Sequence, residues 1–136
     1  MKRIKAIIEK GSDGGYGIYC PDLDVVLIGN GLTEQEAKDE LHECLDMIVE
    51  HYSENGYELP EALNGGDVAF DYHYDFSAFF KAYPVFNVSG LAAAIGINPS
   101  LMRKYKNGHA FASSRQRAKI MKGLHTLSKR LSTVQF

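Results

Sequence analysis

The sequence predicts an α+β module followed by an all-helical one, and three observations carry that expectation. Residues 1–28 hold an alternating run and two β-branched, aromatic runs separated by turn residues, as strands do. From Thr33 the apolar residues return every three or four positions, as on a helix lying against a core. Charge divides as well. All 17 acidic residues lie in residues 1–80 beside only five Lys or Arg, net −12, whereas residues 81–136 hold ten Lys and Arg and no acid, net +10. Length alone gives 136 residues a single domain, but such asymmetry points to two surfaces with different partners. Boundaries at 1–74 and 75–136 are expected.

In the first half, Ile4, Ala6 and Ile8 alternate within Lys2 to Lys10. The flexible stretch Gly11-Ser-Asp-Gly-Gly15 turns the chain into a second strand, Tyr16 to Cys20, and Pro21-Asp22 with Asp24 turns it into a third, Val25 to Ile28. These make an antiparallel meander. Glycines 11, 14 and 15 do not form a phosphate loop, because no Gly-Lys-Ser/Thr follows and a strand comes next. Thr33 and Glu36 have capping-box spacing, the carboxylate bonding back to the cap's own amide. Ala37, Leu41, Cys44, Leu45, Ile48, Val49 and Tyr52 form one apolar stripe, and Asn55-Gly56 ends the helix. Its other face carries Glu34, Asp39, Glu40, Glu43, Asp46, Glu50 and Glu54, a solvated face in isolation but a partner-facing one beside a basic second half. A loop from Glu58 to Gly66 leads to a fourth strand near Asp67 to Tyr74. The order β-β-β-α-β puts one helix on a small sheet, near the lower size limit for a self-sufficient core.

In the second half, Asp75 to Tyr83 predicts a short helix with Phe76, Phe79 and Phe80 in its core and Pro84 as its stop. The stretch LAAAIGINPSLMRKYKNG then meets the demands of a helix-turn-helix. Ser89 caps the first helix, Ala92 lets a second approach closely, and Gly96 supplies positive φ at the corner. Ile97 plugs that corner. Asn98 caps the second helix and Pro99 fills its first turn, where a missing N–H costs nothing. Met102 and Tyr105 face back, and Gly108 closes the unit. Ser100, Arg103, Lys104 and Asn107 point outward with Lys106 and His109 behind them. Arg bonds guanine bidentately, Asn bonds adenine, and Lys and Ser grip phosphate. A plain α-hairpin with a wet basic side is the competing account. Ser113 or Ser114 starts a last helix that buries Ile120, Leu124, Leu127 and Leu131 and exposes Arg115, Arg117, Lys119, Lys122, Lys129 and Arg130 toward phosphate.

Other chemistries find little support. No apolar run reaches the roughly 18 residues a bilayer demands, and the N-terminus lacks a cleavable leader pattern, so a cytoplasmic location without membrane attachment is expected. Cys20 and Cys44 read as buried reduced thiols, since two cysteines alone build no structural zinc site. Clustered carboxylates holding divalent metals would be needed for nuclease chemistry. Asp22 and Asp24 sit in a turn, where they bond local backbone. Asp71, His73 and Asp75 share one side of a strand that reads as an exposed edge. His42 and His51 share a helix face with no third ligand, and neither cysteine has an activating His. No catalysis, metal or cofactor is expected.

The segments YGIYCPDLDVVLIGNGLTEQEAKDEL, FSAFFKAYPVFNVSGLAAAIGINPSLMRKYKNG and RQRAKIMKGLHTLSKRL, in this order, cover nearly the whole chain. Together they resemble HicB-type antitoxins that carry a C-terminal helix-turn-helix of the Cro/repressor class. The resemblance implies a partial ribonuclease-H-like fold in the first half, docked on a HicA-type toxin, a small basic mRNA-cleaving ribonuclease. Asp39, Glu43, Asp46 and Glu50 are the expected toxin contacts. It implies that the second half represses its own operon by binding double-stranded promoter DNA as a homodimer or higher homo-oligomer. Ser100, Arg103, Lys104, Lys106, Asn107, His109 and Arg115 are the expected DNA contacts. At Pro99 and Leu101 the chain departs from the repressor pattern, in which polar side chains often read bases, leaving Ser100, Arg103 and Lys104 as the stronger base-reading positions. The alternative is a stand-alone helix-turn-helix regulator whose first half senses a ligand or oligomerises.

Overall fold

A computed structural model describes residues 2–11, 13–64 and 67–136 of the chain. It is a mixed α+β structure with one four-stranded sheet and five α-helices among those residues. The chain divides into two compact units, Met1–Ala78 and Phe79–Phe136.

In the first unit β1 (Lys2–Lys10) pairs antiparallel with β2 (Tyr16–Tyr19), and β2 pairs antiparallel with β3 (Ile28–Gly31). The hairpin between β1 and β2 is closed by the Gly11 amide donating to the Gly15 carbonyl at 2.7 Å; Ser12 lies outside the described residues. After α1 (Glu34–Glu54) and a short 3₁₀ turn (Glu61–Leu63), β4 (Val68–Tyr74) lies parallel to β1, with Ile4 opposite Phe70 and Ile8 opposite Tyr74. A parallel return needs a crossover, which the segment containing α1 supplies. The resulting order is β3-β2-β1-β4. Ile4, Ala6 and Ile8, Tyr16 and Ile18, and Phe70 converge on Ala37, Leu41 and Leu45 of α1, with Leu27, Leu63 and Ala78 completing the core. Gly65 and Gly66 of the expected loop fall outside the described residues.

The third strand is shifted from its expected place at Val25 to Ile28. The paired residues are Ile28 to Gly31, two of them glycine. A Cβ on Gly29 would fall on the Ala37 carbonyl oxygen and 2.7 Å from the Leu41 amide nitrogen, and one on Gly31 would lie 2.8 Å from the Ala37 nitrogen. Only a strand without side chains on that face lets the α1 backbone rest directly on it. Strand propensity disfavours glycine and so pointed to the β-branched residues just before.

The start of α1 also differs in one detail. Thr33 Oγ1 accepts from the Glu36 amide at 3.1 Å as expected, but the Glu36 carboxylate accepts from Leu32 N at 2.9 Å and not from Thr33. Leu32 leaves the free edge of β3 and its amide has no strand partner, so the carboxylate satisfies it. One turn later the Glu40 carboxylate accepts the Asn30 amide in the same way. The apolar stripe is narrower than expected: Ala37, Leu41 and Leu45 are buried, Cys44 and Ile48 pack partly, and Val49 is exposed. Cys20 is buried and Cys44 half-buried, both as free thiols.

The division between units falls inside α2 (Phe76–Ala82), later than Tyr74. Asp75 starts this helix, its Oδ1 accepting from the Ala78 amide at 2.7 Å. In the second unit Phe80, Leu91, Ala92, Ile97, Met102, Tyr105 and Ile120 are buried. Phe79 stacks on Phe86 at 6.0 Å between ring centres, and Phe76 is half-buried. Helices α3 (Val88–Ile95), α4 (Pro99–Lys106) and α5 (Ser114–Leu131) follow. Asn87, not Ser89, caps α3, accepting from the Gly90 amide at 2.8 Å. The cap lies two residues earlier because Asn87 is extended while Val88 already begins the helix. Ser113 caps α5. Leu131, expected inside, is 57% exposed: α5 has eighteen residues, α3 only eight, and the longer helix runs past its neighbour. Among the described residues no helix is long and apolar enough to cross a membrane.

Candidate functional site

The corner between α3 and α4 is built from a short run of residues. Gly96 takes φ 79°, a left-handed conformation in which its amide closes α3 on the Ala92 and Ala93 carbonyls. Ile97 fills the corner at 4% exposure, Asn98 Oδ1 accepts from the Leu101 amide at 3.1 Å, and Pro99 opens α4. Met102 and Tyr105, three residues apart, turn inward and are buried. Their burial leaves Ser100, Arg103 and Lys104 exposed on the opposite side of α4.

Arg103 is held in place. Its Nη1 donates to Ser89 Oγ at 2.5 Å and its Nη2 to Ser100 Oγ at 3.1 Å. Ser89, freed from the capping role expected of it, thus reaches from α3 to fix the guanidinium. A guanidinium carries five N–H donors, so the fork retains donors for a ligand after both serines are served. The sequence signal for this pairing is weak: fourteen residues separate Ser89 from Arg103, and only the corner geometry brings them together.

Lys106 is exposed in the last turn of α4, and Asn107 is its C-cap, with its backbone amide donating to the Arg103 and Tyr105 carbonyls. The His109 amide donates to the Lys104 carbonyl at 2.9 Å, and its ring is exposed in the loop before α5. Arg115 is exposed in the first turn of α5, and Arg117 donates to Ser114 Oγ at 3.3 Å. Arg103, Lys104, Lys106 and Arg115 form no ion pair among the described residues. With no Asp or Glu in residues 81–136, this basic surface meets no acidic side chain within its own unit.

On α1 the acidic residues fall into two groups. Glu36 and Glu40 bind strand amides, and Glu34 pairs with Lys38 at 3.2 Å while accepting the Tyr74 hydroxyl. Asp39, Glu43, Asp46 and Glu50 are exposed, spaced four, three and four apart, and so share one stripe. Asp39 accepts from Gln35 at 2.9 Å. The helix therefore uses Glu34, Glu36 and Glu40 within its own fold and presents the stripe from Asp39 to Glu50 outward.

Two of the carboxylates weighed for metal binding, Asp71 and Asp75, have local partners. Asp71 pairs with Arg3 at 3.5 Å and with His73 at 3.3 Å, and Asp75 caps α2. Asp22 and Asp24 are exposed in the turn after Cys20, and the His42 ring packs edge-on against Phe70. Among the described residues no group of three or more His, Cys, Asp or Glu is gathered to hold a metal ion. Burial, with the neighbouring Cys44 second, pushes the Cys20 thiol up to about 11, which keeps it protonated and unreactive near neutrality.

Comparison of the chain with family models, with curated proteins and with solved structures returned no match.

Proposed function

We propose that the chain is an antitoxin of the HicB type that joins two activities. Its acidic first unit neutralises a HicA-type, mRNA-cleaving toxin, and its basic second unit represses the operon by binding promoter DNA. One observation carries this reading: cations and carboxylates are sorted onto two compact units, and the basic unit presents Arg103, braced by Ser89 and Ser100, from a helix that follows a glycine corner.

The second unit supports a helix-turn-helix assignment through the Asn87 cap, left-handed Gly96, buried Ile97, the Asn98 cap, and inward Met102 and Tyr105. In that assignment α4 enters the major groove. Arg103 reads guanine while Ser100 and Lys104 assist at base edges or phosphates. Lys106, Asn107, His109 and Arg115 flank the groove, and the other cations of α5 add phosphate contacts. With six to ten such contacts, affinity falls by roughly three to five decades between 50 and 200 mM salt.

The β-β-β-α-β order, with three antiparallel strands and a fourth returning parallel to the first, supports the partial ribonuclease-H-like reading of the first unit. The outward stripe Asp39, Glu43, Asp46 and Glu50 offers a ladder of carboxylates to a ribonuclease that must itself display cations to RNA. Like-signed competition for that surface speeds association and blocks the RNA path. No residue is assigned a catalytic role.

The deciding experiment co-expresses the untagged chain with a HicA-type toxin. Copurification, arrest of RNA cleavage, and retention of both in Arg103→Ala while promoter binding is weakened are the expected results. A folded Arg103→Ala protein that no longer neutralises the toxin contradicts the division of labour. Promoter binding with no toxin capture favours the stand-alone regulator.

A further inference from the structure

Arg103 is exposed on α4, yet its guanidinium is held at two points. Ser100, one turn earlier on the same helix, supplies one acceptor, and a single hydrogen bond leaves the planar group free to pivot about it. Ser89 supplies the second acceptor from α3, and two acceptors on different helices fix the plane. They engage different terminal nitrogens, Nη1 for Ser89 and Nη2 for Ser100. Each of these nitrogens carries two hydrogens, so each keeps one after its serine is served. A pair of donors on one rigid fork is what guanine O6 and N7 accept together.

The chemistry of the acceptors matters as much as their number. A carboxylate would hold the arginine more strongly, but it would offset the positive charge and compete with a base for the same fork. Residues 81–136 contain no Asp or Glu, and a serine hydroxyl orients the guanidinium while leaving its charge whole. Ser89 is available for this because Asn87 caps α3.

We infer that Ser89 is a positioning residue for sequence recognition, acting through Arg103 from a helix that precedes the reading helix. Held by Ser89, the guanidinium reads a base. Released, it swings on its flexible stem and grips phosphate at any sequence. The inference rests on the proposed DNA binding and adds to it a residue outside α4 that sets selectivity and leaves affinity for DNA at large unchanged.

The test uses two probes, a duplex that the wild-type chain selects from a random pool and a scrambled duplex of equal length, each bound to the full chain over a salt series. Ser89→Ala is expected to lower the preference for the selected duplex on the order of tenfold, the size of one hydrogen bond to a charged group. Binding to the scrambled duplex and the salt slope should hold, because no cation is removed. The relaxation should fall at the base pair that Arg103→Ala also relaxes, and Ser89→Thr, which keeps the hydroxyl, should retain the preference. In an Arg103→Ala background Ser89→Ala should change nothing further, whereas a loss through misfolding would persist there. Ser89→Ala with full preference, equal weakening on both duplexes, a further loss in the absence of Arg103, or Ser89→Thr that behaves like Ser89→Ala each overturns the inference and leaves the DNA reading standing. A wild-type chain that selects no sequence overturns both.

Discussion

The two units differ in the charge they place at their helix starts. In the first, α1 begins with Glu34 and Glu36 in its opening turn and α2 is capped by Asp75, so negative charge sits where the helix dipole is positive. In the second, the caps are Asn87, Asn98 and Ser113, and no acidic residue occupies the first turn of α3, α4 or α5. Aspartate caps a helix as well as asparagine does, and an acid in the opening turn adds about 0.3–1 kcal/mol through the dipole. Helix stability therefore favours acids at these sites, and the second unit has none. Under the proposed function, that lack keeps the surface positive for DNA.

The largest expected effect comes from Gly29→Val. The new side chain collides with the backbone of α1 at Ala37 and Leu41, which no side-chain movement relieves. A loss of more than about 3 kcal/mol is expected, read in urea as an earlier transition of the first unit alone. If both units melt earlier together, they do not fold separately.

Gly96→Val is next. Left-handed backbone at a β-branched residue costs about 1–3 kcal/mol. The second unit should melt earlier with weakened DNA binding, and toxin capture should persist. An unchanged melt with full DNA affinity rejects the corner.

Asn98→Asp sharpens the contrast between caps. Stability should hold or rise by up to about 1 kcal/mol, because either side chain accepts the Leu101 amide and the new charge faces the positive end of the helix. DNA affinity should fall several-fold at low salt and recover relative to wild type at high salt, since the new charge sits at the foot of α4. Equal affinity at all salt concentrations argues against α4 as the DNA-facing helix.

The last effect is confined to alkaline pH. Burial raises the Cys20 thiol from its ordinary value near 9 to about 11, and Tyr16 and Tyr72 shift upward for the same first reason. A raised value means that the folded state holds the proton longer. The Cys20 contribution to stability is thus complete below pH 9 and is lost as pH climbs from 9 through 11. Cys20→Ala should shrink that loss in the first unit, measured by urea titration between pH 8 and 11. The second unit, without cysteine, should show no change.

Elements with a strong period were legible in the sequence. Ile4, Ala6 and Ile8 marked β1, and the stripe beginning at Ala37 marked α1. The corner around Gly96 was legible because glycine, Asn98 and Pro99 each have one local reason to stand where they do. What escaped depends on contacts distant in sequence. Gly29 and Gly31 look like a turn until α1 is laid across them. Glu40 looks like part of a solvated face, and Glu36 like the partner of the Thr33 amide, until the Asn30 and Leu32 amides at the strand edge are found unpaired by strand. Ser89 looks like a cap until Asn87 takes that role and Arg103 arrives from the next helix. The outward stripe of Asp39, Glu43, Asp46 and Glu50 stands out once Glu34, Glu36 and Glu40 are assigned to the fold.

Amide chemical shifts of the full chain during titration with duplex promoter DNA give the most direct test. The account predicts that Ser100, Arg103, Lys104 and the first turn of α5 move while Asp39, Glu43, Asp46 and Glu50 stay still. Movement centred on α1, or no movement in α4, would contradict it.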